Sequence, residues 1–171
     1  MCNYCGCRDI EPIAQLTAEH ERILNLSGEI RRAVARGADV VAAELLRRLQ
    51  EVLVVHDAVE ELSLYPAMAR LLEFDDMVGT LFDEHDEFDR VVQAALTATD
   101  GTGPDTADWA VVLRVLEMLA EHIDHEEHGV FPAAAVSLDP ADWEHAAAVR
   151  VQQTARHEQP NGHCVQRPDA H

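Results

Sequence analysis

His56-Asp57-Ala58-Val59-Glu60-Glu61-Leu62-Ser63-Leu64-Tyr65-Pro66 and His122-Ile123-Asp124-His125-Glu126-Glu127-His128-Gly129-Val130-Phe131-Pro132 share one pattern, H-x3-E-E-x3-[YF]-P, 66 residues apart. Upstream, Glu19-His20-Glu21 matches Glu84-His85-Asp86 at an offset of 65. Each half of the chain therefore reads as a helical hairpin with a lone histidine on its first helix and H-x3-E on its second. Two such hairpins pack naturally into an all-α, up-down antiparallel four-helix bundle with pseudo-twofold symmetry.

Working outward, five helical segments are expected. The first runs from about Pro12 to Arg36 and stops before Gly37, with Ile13, Leu16, Ile23/Leu24, Ile30 and Val34 on its apolar stripe. The second starts after Asp39, read as its N-cap, and carries Leu45, Leu49, Val52/Leu53 and Leu64 until Pro66 ends or kinks it. The third covers about Asp76 to Ala98, before the turn-rich stretch Asp100-Gly101-Thr102-Gly103-Pro104. The fourth runs from about Thr106 to near Pro132. Asp139 caps a shorter fifth helix with Pro140 at its first position, reaching about His157. The domain reading is a Cys-rich segment over 1–11, the bundle over 12–157 and a polar tail over 158–171.

The 171 residues fit one domain with a working core. Aromatic residues are only 5% of the chain, while Ala, Leu, Glu and Arg dominate, which favours helix. The formal charge of −19 opposes binding to nucleic acid and to anionic membrane. No apolar run approaches the roughly 18 residues a membrane-spanning helix needs. The N-terminus shows no basic and apolar leader, so the expected compartment is the cytoplasm, where thiols stay reduced.

The chemistry sits on the apolar stripes. His20 shares its stripe with Leu16 and Ile23, His56 continues Leu49 and Val52, His85 lies between Leu81 and Phe88, and His122 continues Leu119. Glu60 and Glu126 follow His56 and His122 by four residues, one helical turn on the same face. From His20 to Arg36 is 16 residues and from Asp39 to His56 is 17, so the two helices return the chain to one level. Six polar side chains then converge in one layer. Burying them unpaired costs several kcal/mol each, on the order of 2–7 for a neutral polar group and more for a carboxylate. A metal is the symmetric remedy. Imidazole with carboxylate suits iron, manganese or zinc, and two central carboxylates can bridge two ions.

The order H…HxxxE…H…HxxxE over about residues 12–135, with an aromatic-Pro pair after each HxxxE, resembles the hemerythrin-like HHE cation-binding family in the version common among bacterial members. The resemblance implies a non-haem centre of two iron ions with an oxo or hydroxo bridge. It implies that Glu60 and Glu126 bridge, and that His20, His56, His85 and His122 are terminal ligands. Oxygen-carrying hemerythrins have five histidines, with HxxxH on the third helix. Here Asp89 stands four residues after His85. That departure turns the expectation from simple O2 carriage towards reactivity with O2, hydrogen peroxide or nitric oxide.

Asp89, His125 and Tyr65 are candidates for additional ligation or for supporting the ligands, while Glu61 and Glu127, repeated in both halves, read as capping, solvated or supporting the ligands from behind. His128 reads as surface if it stays clear of the metal, and Phe131 reads as packing. Glu19, Glu21, Glu84 and Asp86 read as solvated helix faces. Cys2, Cys5 and Cys7 form C-x2-C-x-C, and Cys164 follows His163. These thiols could hold zinc or an iron–sulfur cluster, act as a redox group, or remain four reduced thiols on loose tails. The resemblance does not cover them.

The reading is a di-iron protein that binds, senses or reacts with O2, peroxide or nitric oxide, with a role in oxidative stress. Whether it is an enzyme is left open. The alternatives are iron storage, delivery or redox sensing without turnover, using the terminal cysteines and a redox or signalling partner protein, and a zinc-filled structural bundle.

Overall fold

The computed structural model describes Gly6, residues 9–102 and residues 107–158. Among the described residues the chain is all-helical, with no strand, consistent with a helical bundle. Helix α1 (Glu11–Ala35) has Pro12 in its first turn and buries Ile13, Leu16, Ile23 and Ile30. It ends in a paired reverse turn: Gly37 N–H bonds to Val34 C=O and Ala38 N–H to Ala33 C=O. The turn requires positive φ at Gly37, and its value is 66°.

That tight turn corrects the reading of Asp39 as a cap. Ala38 is the N-cap and makes no side-chain capping bond, while Asp39 is the first residue of α2 (Asp39–Val59). Its charge still suits the positive end of the helix dipole.

The expectation that Pro66 ends the helix is corrected as well. Between α2 and α3 (Tyr65–Ala69) lies a π turn, Glu60–Leu64, in which Tyr65 N–H bonds to Glu60 C=O, five residues back. A proline removes the hydrogen bond to the carbonyl four residues before it. For Pro66 that carbonyl belongs to Leu62, and His145 Nε2 reaches it at 3.2 Å. The chain therefore passes through Pro66 without leaving the helix. The wider π turn also brings Glu60 and Tyr65, five residues apart, into the interior together.

A 3-10 turn (Leu72–Phe74) leads into α4 (Asp75–Thr102). Asp100-Gly101-Thr102 thus continue the helix instead of opening a loop, and Arg47 on α2 pairs with Asp100. Gly103, Pro104 and Thr106 lie outside the described residues. Helix α5 (Trp109–His125) starts at an Asp108 cap whose carboxylate accepts from Val111 N–H. A second π turn (Glu126–Val130) and α6 (Phe131–Ser137) repeat the first hairpin's device, with Phe131 N–H bonded to Glu126 C=O.

Helix α7 (Pro140–His157) begins as the sequence predicts. Asp139 accepts from Ala141 and Asp142 N–H, and Asp142 returns a bond to the Asp139 N–H. Asp139→Ala is expected to cost about 1 kcal/mol, a fall of roughly 2–4 °C in Tm for a chain of this size, read by thermal circular dichroism.

Helix α1 packs on α2, α4 on α5, and α7 on α1, α2 and the first π turn. The apolar interior divides in two. One cluster gathers Ile23, Leu46, Leu49, Phe88, Leu116 and Leu119. The other gathers Ile13, Leu16, Tyr65, Met68, Leu81 and Phe131. In α1, α2, α4 and α5, His20, His56, His85 and His122 fall at the junction between the two clusters.

Candidate metal centre

The junction is a polar layer. His20, His56, Glu60, His85, His122 and Glu126 are each no more than 2% exposed. Their ligand atoms form two groups. His20, His56, Glu60 and Glu126 make one, and Glu60, His85 and His122 the other, with the atoms of each group within 4.8 Å of one another. Glu60 belongs to both. Glu126 Oε2 lies 3.1 Å from His20 Nε2 and 3.4 Å from His122 Nε2, so this carboxylate also reaches both sides.

Each histidine is oriented from outside by a carboxylate on a neighbouring element. His20 Nδ1 pairs with Glu127 at 3.1 Å, His56 Nδ1 with Glu19 at 3.1 Å, His85 Nδ1 with Glu61 at 3.1 Å, and His122 Nδ1 with Glu84 at 2.7 Å. An ionised carboxylate only accepts, so each Nδ1 carries the proton and donates it. Each Nε2 then presents a lone pair inward, the tautomer a metal-binding histidine needs. The four pairs obey the repeat: His20–Glu127 corresponds to His85–Glu61, and His56–Glu19 to His122–Glu84.

Glu19 and Glu84 are therefore not solvated helix faces, as their sequence positions suggest. Both are partly buried and turned towards a histidine of the adjacent helix, whereas Glu21 and Asp86 are exposed. The repeat did carry a signal, since Glu precedes His in both halves.

The tautomers test whether a cation fits. His85 Nε2 lies 3.0 Å from His122 Nε2, so two lone pairs face each other. His20 Nε2 faces Glu126 Oε2 at 3.1 Å in the same way. These two atoms and Glu60 Oε1 are buried without a hydrogen-bond partner. Buried acceptors aimed at one another are costly until a positive charge stands among them.

Protons supply part of that charge. Burial pushes Glu60 well above the usual carboxylate range, and the neighbouring Glu126 and Asp57 push it further. Burial would raise Glu126 too, but His122, His20 and His56 outweigh it and hold that carboxyl far below its ordinary value. Burial opposes a charge on His85, yet Asp57, Glu61 and Glu126 lift it to about 9. On His56 burial wins and brings it down to about 4. The donor set, imidazole nitrogen with carboxylate oxygen, is one that holds a first-row transition metal.

Tyr65 enters the layer. Its hydroxyl donates to Glu126 Oε1 at 2.5 Å and lies 3.3 Å from His85 Nε2 and 3.4 Å from Glu60 Oε2. Burial and the charges of Glu126 and Glu60 raise its pKa well above the usual phenol value, so it stays protonated. Its repeat counterpart Phe131 has no hydroxyl and stacks on His20 at 5.4 Å with the rings 2° apart.

Asp89 and His125 are exposed and belong to neither ligand group. His128 is also exposed and bonds to Asp124. Asp57, next to His56, went unnoticed in the sequence because its counterpart in the second half is Ile123. Burial pushes its carboxyl up to about 7, with Asp89 and Glu61 adding to the effect and His85 opposing it. Cys2, Cys5, Cys7 and Cys164 lie outside the described residues.

Set against known protein families, residues 11–134 match the hemerythrin HHE cation binding domain. The match runs from the start of α1 into α6 and leaves α7 beyond it. No curated protein and no solved structure matches the chain. Among the described residues, no helix is long and apolar enough to cross a membrane.

Proposed function

Because the chain belongs to the hemerythrin HHE cation-binding domain family, we propose that its polar layer holds two iron ions and binds, senses or reacts with O2, hydrogen peroxide or nitric oxide. The frame is an up-down antiparallel four-helix bundle, with α7 as the short fifth helix. His20 and His56 would hold one ion and His85 and His122 the other, with Glu60 and Glu126 shared between them. The observation that carries this reading is four buried histidines, each held at Nδ1 by an outer carboxylate so that Nε2 faces the layer, with Glu60 common to both ligand groups.

Iron supplies the redox change and the coordination position for a small molecule. The protein supplies the rest. The two apolar clusters keep the layer dry, which strengthens every charge interaction within it. The outer carboxylates hold the imidazoles in one tautomer. Tyr65 keeps its hydroxyl proton and donates it to Glu126 Oε1, which fixes the orientation of that shared carboxylate.

The test is metal content and an optical spectrum on protein purified without added metal, followed by peroxide and nitric oxide assays. About two irons per chain with turnover is the expected result for this donor set. Reversible spectral change without turnover would make the chain a binder or sensor. A colourless, zinc-loaded protein after growth with ample iron would overturn the redox reading.

Metal uptake should also depend on pH. Below about pH 9, His85 carries a proton in the metal-free protein that an incoming ion must displace. Apparent affinity is therefore expected to rise by at least about tenfold per pH unit up to that value, the His85 proton being released together with those that burial holds on Glu60. A metal titration at pH 6.5, 7.5, 8.5 and 9.5 reads the slope. A flat profile would show that His85 enters the reaction already neutral.

A further inference from the structure

The four histidine–carboxylate pairs follow the internal repeat, but the surroundings of two corresponding carboxylates do not. Glu19, which orients His56, is gripped by Arg150 of α7. Arg150 Nη1 lies 2.5 Å from Glu19 Oε1 and Nη2 lies 2.9 Å from Glu19 Oε2, a two-pronged contact between planar groups. The side chains are only 13% and 22% exposed, so water screens this pair less than an ordinary surface ion pair. Glu84, which orients His122, pairs with no cation among the described residues. It lines a cavity of about 440 Å³ instead, with Met77, Leu81, His125, His128 and Val130. The repeat ends before α7, so no second arginine stands in the corresponding place. The family match ends before α7 too.

We propose that Arg150 is a positioning residue that makes the two metal positions unlike. By fixing Glu19 it fixes the His56 ring, and so holds the ion on the His20/His56 side more firmly than Glu19 alone would. On the His85/His122 side, Glu84 has no such clamp among the described residues and lines a cavity open to small molecules. Through Arg150, α7 thus acts on the His20/His56 ion. The proposal rests on the two-ion reading above.

The experiment is a Co2+ titration of the metal-stripped full-length chain, followed by the visible spectrum of the bound ion, for wild type, Arg150→Ala, Arg150→Lys, Glu19→Gln and Arg150→Ala/Glu19→Gln. Loss of a partner that orients a metal-binding histidine weakens binding by about 10–100-fold. Arg150, one step further out, is expected to stand at the lower end. Arg150→Ala should weaken one of the two ions by about tenfold and leave the other unchanged, and Arg150→Lys should recover part of the loss. The double variant should be no weaker than Glu19→Gln, because Arg150 acts through Glu19. Arg70→Ala serves as the control. It removes the other ion pair that ties α7 to the bundle among the described residues, Arg70 with Asp142, and should leave both ions in place.

Equal weakening of both ions by Arg150→Ala, or by Arg70→Ala as much as by Arg150→Ala, would overturn the proposal and reduce α7 to a structural brace. Unchanged binding in Arg150→Ala would overturn it as well. Fewer than two Co2+ ions on the wild type would instead defeat the two-ion reading itself, and that is read before any variant is made.

Discussion

Glu60→Gln is expected to lose both metal ions together and, in the metal-free state, to be more stable than the wild type. Glu60 is the residue common to the two ligand groups, so no ion can be held at full strength without it. A neutral amide keeps the volume but cannot share a negative charge between two cations. Bound metal should fall from about two ions per chain to a small fraction of one, as expected when a bridging carboxylate is lost from an imidazole–carboxylate set. The stability effect has the opposite sign. Without metal, burial and the adjacent Glu126 and Asp57 already resist ionisation of Glu60. At neutral pH, folding of the wild type must then place a proton on Glu60, a cost that an amide does not carry. Residues that serve a site at the cost of the fold behave in this way. Metal analysis and thermal unfolding of both forms read the two effects separately. A Glu60→Gln protein that still carries two ions would show that Glu60 does not bridge.

Removal of the metal from the wild type should give the largest change in stability. In the two-ion reading the ions would stand where His85 Nε2 faces His122 Nε2 and His20 Nε2 faces Glu126 Oε2 in the interior. An ion held a thousandfold above its dissociation constant contributes about 4 kcal/mol. For two ions that is roughly 8 kcal/mol, and at about 2–4 °C per kcal/mol the expected fall in Tm is roughly 15–30 °C. The polar layer separates the two apolar clusters, so its loss loosens both. Thermal circular dichroism before and after treatment with a strong chelator checks this, with the metal content measured on the same samples. A fall under about 5 °C would mean that protons on Glu60, His20 and His85 satisfy the layer nearly as well as metal does.

The sequence was most legible where a local rule decided the outcome. Gly37 ends α1 because the turn needs positive φ, and Asp139-Pro140 starts α7 because a carboxylate caps the free N–H groups there. Both depend on neighbours a few residues away. The prolines were misread for the opposite reason. Whether Pro66 ends a helix depends on who accepts the orphaned Leu62 carbonyl as partner, and that partner, His145, is 83 residues further on. The turn-rich stretch after residue 100 was misread likewise: α4 reaches Thr102, and Arg47 of α2 pairs with Asp100.

The candidate site divides along the same line. By itself the sequence determined the all-helical class, the family and the six residues that meet in the core. Periodicity places a side chain on the buried face of its own helix, and a doubled H-x3-E pattern leaves few ways to bury so many polar groups. Only the tertiary structure decided what lies behind those residues. Glu19 and Glu84 sit at the edge of an apolar stripe, where helical period alone reads them as solvated, and a histidine on the adjacent helix makes them part of the centre. Tyr65 and Phe131 look equivalent in the repeat, yet one hydroxyl group ties Tyr65 to Glu126. Arg150, 131 residues from Glu19, has no pattern to mark it. Its role arises because α7 lies across the bundle, and contacts of that range are set by packing rather than by local order.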